Sequence, residues 1–221
     1  MKNIHAPRFG MPAVSPRETR AWLPALVLPA CLFLLTGCLS RPALKTETFA
    51  FDLAALAGKP APATAPVLGI KTISVAAPFA DRPFVYRTGD FNYERDPYAE
   101  FLDFPGKLLA APIRAGLGSQ GDFRSVVLAG GLPEPDLWVE INISQLFGDF
   151  RVPGQAKAVL RAQFVFYQEA KSPASGVILQ KDYSRTIPLA KPAAASLIAG
   201  WNQALNEILH DVLRDYRQRQ Q

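Results

Sequence analysis

The chain is poor in the side chains that most often build reactive sites. It holds two cysteines, Cys31 and Cys38, and two histidines, His5 and His210, at opposite ends of the sequence. So few imidazoles argue against a histidine-based metal cluster and against a catalytic pair. Long apolar runs are also missing. The charge-free stretch from Trp22 to Leu35 falls short of the roughly 20 residues a helix needs to span a bilayer. Pro24 and Pro29 interrupt it further. The formal charge of +5 does not mark a nucleic-acid partner either. Lys2, Arg8, Arg17 and Arg20 face only Glu18 ahead of this stretch, so the surplus is concentrated there and the remainder is close to neutral.

A basic start, a short apolar run and small residues form the pattern of a secretory leader. The run ends in Leu35-Thr36-Gly37-Cys38, which reads as a lipobox. Small Thr36 and Gly37 admit a peptidase, and the thiol of Cys38 is the nucleophile that accepts a diacylglyceryl group. Residues 1–37 are therefore expected to be a signal peptide, starting at Met1 or Met11, with 38–47 a lipid-anchored tether and 48–221 a single domain. Cys31 leaves with the leader and Cys38 becomes the anchor. No thiol then remains for a disulfide, a metal or catalysis.

Along the domain, alternation predicts strands over 48–53, 67–77, 123–128, 137–150, 158–168 and 178–189. Phe84-Val85-Tyr86 and Phe91 to Glu94 read as the arms of a hairpin turning at Gly89-Asp90. A helix is expected from Pro105 to Leu117, with Pro112 forcing a kink or early break. Ile198, Trp201, Leu205, Ile208, Val212 and Tyr216 recur at helical spacing and predict a C-terminal helix with one buried face. Strands joined without intervening helices suggest antiparallel pairing. The expected fold is α+β: a mainly antiparallel sheet of about five to seven strands with two helices packed on it.

Few motifs offer chemistry. Gly116-Leu117-Gly118-Ser119-Gln120-Gly121 matches the spacing of a dinucleotide loop, but a helix precedes it and a strand follows, the reverse of the order that motif needs. Glu94 with Asp96, or Asp90, could supply paired carboxylates, yet their neighbours read as turns and exposed hairpin edges. The segment Phe79 to Phe104 is dense in aromatic residues and carries Arg82, Arg87 and Arg95, the composition of an interface. Phe84, Tyr86, Arg87, Phe91 and Tyr93 are the residues expected to dock a partner. No catalytic, cofactor-binding or metal-binding residue is expected; the covalent chemistry is the lipid on Cys38.

The order of Val85-Tyr86-Arg87-Thr88-Gly89-Asp90, Asp96-Pro97-Tyr98-Ala99-Glu100-Phe101 and Leu146-Phe147-Gly148-Asp149-Phe150 after the lipobox resembles the ABC-type transport auxiliary lipoproteins. This group includes the paraquat-inducible protein C-like lipoproteins. In the first strand Phe49 and Phe51 stand where that family often has tyrosines. The resemblance implies a non-enzymatic periplasmic component of a lipid-transport system, working with an ABC permease and a mammalian-cell-entry-domain protein. It also implies that the protein can self-associate. Leu39 after the anchor, rather than aspartate, points to the periplasmic face of the outer membrane by the enteric sorting rule; inner-membrane anchoring is the alternative. Two other roles fit the same residues. One is a regulator or assembly factor for an envelope enzyme or outer-membrane protein, the other a lipid carrier with its own apolar cavity.

Overall fold

Alternation is most regular between Leu137 and Ile143, the first half of the segment that forms the spine of the sheet. The computed structural model describes residues 45–52, 59–168 and 176–220. In chain order the strands are β1 (Glu47–Phe49), β2 (Val67–Val75), β3 (Pro83–Arg87), β4 (Tyr93–Phe101), β5 (Ser125–Leu128), β6 (Leu137–Asp149), β7 (Lys157–Tyr167) and β8 (Val177–Pro188). A broken helix, α1 (Pro105–Leu108) and α2 (Ala110–Gly118), lies between β4 and β5, and the long helix α3 (Ala194–Arg219) follows β8. Leu137, Val139, Ile141 and Ile143 of β6 are buried while Glu140 and Asn142 are exposed, as a half-covered strand requires.

One edge of β6 pairs with β7 along its whole length, and β7 pairs with β8; both pairings are antiparallel. The other edge is divided. Its first half, Leu137 to Ile143, pairs with β2, and its far end, Gly148 and Asp149, pairs with β3. A 3-10 turn at Ala77–Phe79 joins these two neighbours without reversing direction. Beyond β2 lies β5; beyond β3 lie β4 and then β1.

The expectation of a mainly antiparallel sheet is therefore corrected. The β1–β4, β2–β5, β2–β6 and β3–β6 pairings are parallel, so most of the seven pairings are, and the described sheet has eight strands. The reason lies in two short connections. One is the turn that keeps β3 pointing along β2. The other is the loop between β5 and β6, which crosses over β2 with no helix. That crossing needs Gly69, where an added Cβ would stand 2.5 Å from the Trp138 ring and 2.7 Å from Pro135.

Pro105 opens α1 at its first position, as expected. The break comes at Leu109 because Pro112 has no N–H to offer the Leu108 carbonyl; the ladder resumes with Ile113 N donating to Leu109 O at 3.1 Å. All six residues of the expected α3 face are buried, and Leu197, Ala204, Leu209 and Leu213 widen it. Two close contacts seat the helices on the sheet and on each other. At Gly200 an added Cβ would lie 2.7 Å from the Ala158 side chain of β7, and at Gly116 it would lie 2.4 Å from Leu209. The Trp201 indole is fully buried and donates from Nε1 to Val159 O at 3.2 Å. Its ring packs on Phe84 (centroids 5.0 Å apart) and Phe101 (5.5 Å). The first strand stops at Phe49; the rest of its expected span is Ala50 to Asp52, with Phe51 still buried, and Leu53, which lies outside the described residues.

Candidate functional site

The β3–β4 hairpin is where the three sequence motifs meet. Tyr86 on β3 is half-buried against Phe150 (ring centroids 4.8 Å apart) and donates its hydroxyl to Asp96 Oδ2 of β4. Burial, then the Asp96 hydrogen bond, push the Tyr86 hydroxyl well above the usual phenol range. The other Asp96 oxygen accepts from the backbone N–H groups of Tyr98 (2.7 Å) and Ala99 (3.1 Å). On β6, Gly148 lies against both aromatic rings: an added Cβ would be 2.5 Å from Phe150 and 3.1 Å from Tyr86. Segments far apart in sequence thus interlock through one tyrosine, one aspartate and one glycine.

The five residues expected to dock a partner divide. Phe84 is fully buried, packed on Phe101 (4.6 Å), Trp201 and Phe49 (5.4 Å). Tyr86 is turned into the contact just described. Arg87 reaches over the hairpin loop, donating from Nη2 to Asp90 O at 2.7 Å and from Nε to Gly89 O at 3.2 Å. Its guanidinium also stands 5.8 Å from the Tyr93 ring. Tyr93 rests edge-on against Phe147 (5.6 Å) and Phe79 (6.1 Å) and is half-exposed. Phe91, at the loop apex, is 94% exposed. The outward part of the hairpin is Arg87, Phe91 and Tyr93. Cys38 lies outside the described residues.

The carboxylates considered for chemistry are engaged elsewhere. Glu94 accepts from Thr88 Oγ1 at 2.9 Å. Asp90 and Asp149 share Arg151, whose Nη1 donates to Asp90 at 3.3 Å and Nη2 to Asp149 at 2.8 Å. The Arg151 hydrogen bond holds Asp149 below the ordinary carboxylate range despite partial burial. Gly121 adopts φ +78° beyond α2, and Ser119 Oγ donates back to Gly116 O at 2.7 Å, so the glycine-rich segment ends a helix. His210 is exposed on α3. Among the described residues no group of three or more His, Cys, Asp or Glu is placed to hold a metal ion.

Sequence inspection missed a second cluster, under α3. Asp215 is buried there and accepts from Lys181 Nζ (2.7 Å) and the Tyr183 hydroxyl (3.0 Å), both on β8. Burial pushes its pKa up, but the bonds from Lys181 and Tyr183 outweigh this, and the carboxyl sits below its usual range. Nearby, Arg185 of β8 donates to Glu207 at 3.0 Å and to Asp211. Arg217 forks onto Asp122 at 2.6 and 2.8 Å. The alternation of β8 was the available signal: Lys181, Tyr183 and Arg185 fall on one side of the strand. Lys181, Tyr183 and Arg185 fasten α3 to the β8 edge of the sheet, and Arg217 ties the end of α3 to the turn after α2.

No described helix is long and apolar enough to cross a membrane. Among solved structures, the fold is similar to that of a Xanthomonas campestris protein of the DUF330 family. That match has 14% identity and a TM-score of 0.59, and covers 70% of this chain and 87% of the other. A second crystal structure, of an uncharacterized protein, matches with 14% identity and a TM-score of 0.58 over 76% and 99% of the two chains. At such identities the likeness is one of fold. Among curated proteins none matches the chain by sequence. The family model of the ABC-type transport auxiliary lipoprotein component matches residues 50–212, nearly the whole described fold. The chain belongs to that family.

Proposed function

We propose that the chain is cut ahead of Cys38, anchored by lipid on that cysteine at the periplasmic face of the outer membrane, and acts there without catalysis. Its role in this reading is auxiliary to an ABC permease and a mammalian-cell-entry-domain protein that move lipid, with the domain docking or stabilising their conduit. Self-association is part of the same reading. The observation that carries it is the juxtaposition of a lipobox at Leu35 to Cys38 with a family match that begins at residue 50. A lipid on Cys38 would leave only a short tether between bilayer and domain, which suits a positional role.

Packing favours docking over carriage of lipid inside the domain. The space between α3 and the sheet is filled by Trp201, Phe84, Phe164 and Phe166, all fully buried. A carrier of the usual kind needs an apolar cavity there. Replacement of Cys38 by alanine provides the test. Cys38→Ala should leave the domain folded yet abolish its membrane retention and its crosslinking to the transport complex in cells. Full complementation of a deletion strain by Cys38→Ala would overturn the proposal, and recovery of only an envelope enzyme or an outer-membrane protein would favour the regulator reading.

A further inference from the structure

The direction of β1 sets the end of the sheet from which the chain reaches the fold. β1 runs parallel to β4, with Glu47 beside Ala99 and Phe49 beside Phe101. The chain ahead of Glu47 therefore arrives from the end of the sheet where β4 begins, which is the hairpin end. From the level of Glu47 to that of Tyr93 is six residues of β4, about 20 Å at the rise of a strand. From Cys38 to Glu47 is nine residues, which reach at most about 30 Å fully extended. An anchor at Cys38 thus has the length to bring the hairpin end to the membrane, and little beyond it.

That end has a distinctive surface. Two loops stand side by side there, Thr88–Asn92 after β3 and Phe150–Ala156 after β6, because β3 and β6 end in register at Arg87 and Asp149. Phe91 at the apex of the first is 94% exposed and Val152 in the second is 50% exposed. The charges between them are already matched: Arg151 bridges Asp90 and Asp149, and Arg87 is spent on carbonyls of its own loop. A tip of this kind can sink to the headgroup level without leaving a bare charge in a poorly solvating layer. An exposed aromatic side chain gains from that level, where its ring is shielded and its neighbours stay wet.

We propose that the hairpin end is a second, non-covalent membrane contact, with Phe91 seated at the boundary between headgroups and acyl chains of the bilayer that holds the Cys38 lipid. The contact rests on the lipidation of Cys38 and reassigns Phe91 from partner docking to lipid. It fixes the orientation of the domain: the β5–β6 crossover, at the other end of the sheet, faces the periplasm, while the β8–α3 connection stays at the membrane end, where Leu189 N donates to Ala156 O at 2.8 Å.

Once the leader is removed and Cys38 acylated, a cysteine introduced at position 91 is the sole free thiol. Phe91→Cys, labelled with nitrobenzoxadiazole, is purified as the processed lipoprotein and incorporated into vesicles of phosphatidylethanolamine and phosphatidylglycerol. Leu132→Cys, in the β5–β6 crossover and 88% exposed, is labelled in parallel. Doxyl-labelled lipid should cut emission at position 91 about two-fold and leave position 132 unchanged, with a blue shift at 91 alone. If the N-terminal mass shows acyl chains on Cys38 while position 91 stays aqueous and open to iodide, the membrane contact is refuted and lipidation stands. If position 91 becomes shielded only when inner-membrane extract is added, a protein docks there instead. An N-terminal mass without acyl chains overturns both the anchor and the contact.

Discussion

Two tyrosine–aspartate pairs, at opposite sides of the fold, solve different problems with the same hydrogen bond. Tyr183–Asp215 joins β8 to α3 across 32 residues of sequence, while Tyr86–Asp96 joins neighbouring strands across 10. Both tyrosine hydroxyls are pushed up, first by burial and then by the carboxylate they meet. The aspartates differ in their remaining partners. Asp215 takes the Lys181 ammonium and is held ionised; Asp96 takes two backbone N–H groups and shapes the first residues after Pro97. One pair is a long-range clasp whose loss releases a helix. The other is a local brace, and what it braces is the approach to an exposed tip.

The contrast orders the expected effects. The helix side should be the more costly to damage, and its most buried ring sets the upper end. Trp201→Ala should destabilise by about 3–5 kcal/mol, read as a shift of the urea midpoint. A loss below that of any hairpin variant would invert the comparison. Asp215→Ala should cost about 1–3 kcal/mol, since it strands the Tyr183 hydroxyl while half-exposed Lys181 can turn to water. Its pH dependence carries a sign. The folded pKa of Asp215 is below its unfolded value, so its contribution is complete above about pH 4 and is lost as pH falls through the folded value. Asp215→Asn should therefore lose less stability than the parent on acidification over that window, measured by denaturation at successive pH values. The smallest effect belongs to Asp96→Ala, about 1 kcal/mol globally, with amide exchange quickened at Tyr98 and Ala99 and unchanged in α3. Equal quickening in both regions would dissolve the distinction between clasp and brace.

The parts of this arrangement readable from residues alone are those encoded by local periodicity. The α3 face, β6 and β7 follow directly from spacing, and Pro112 announces the break that falls at Leu109. Strand direction does not have a local signature. A short connection between strands looks the same whether it reverses the chain, as between β3 and β4, or carries it onward, as Ala77–Phe79 does between β2 and β3. The hairpin was legible as a hairpin, but not which of its aromatic residues point outward. Alternation would set Val85 opposite Phe84 and Tyr86, yet Phe84 and Val85 are both buried, at the place where the β3–β4 register shifts between Pro83 and Val85. Asp215 was hidden for a related reason: a lone acid on an apolar face looks misplaced until the β8 side chains that meet it are known.

β1 has a mechanical meaning. Of β1, the described residues Glu47, Thr48 and Phe49 pair with β4, and the Leu102 N–H closes onto Phe49 O at 2.8 Å. A tug on the chain ahead of Glu47, directed toward the hairpin end, lies along the strand axis and strains these bonds together in shear instead of peeling them one at a time. A leash fixed in this way resists as a unit, passing the pull through β4 into the body of the sheet. Behind it, buried Phe51 and the Asp52 N–H, which donates to Asn202 Oδ1 at 3.0 Å, hold the chain to the core.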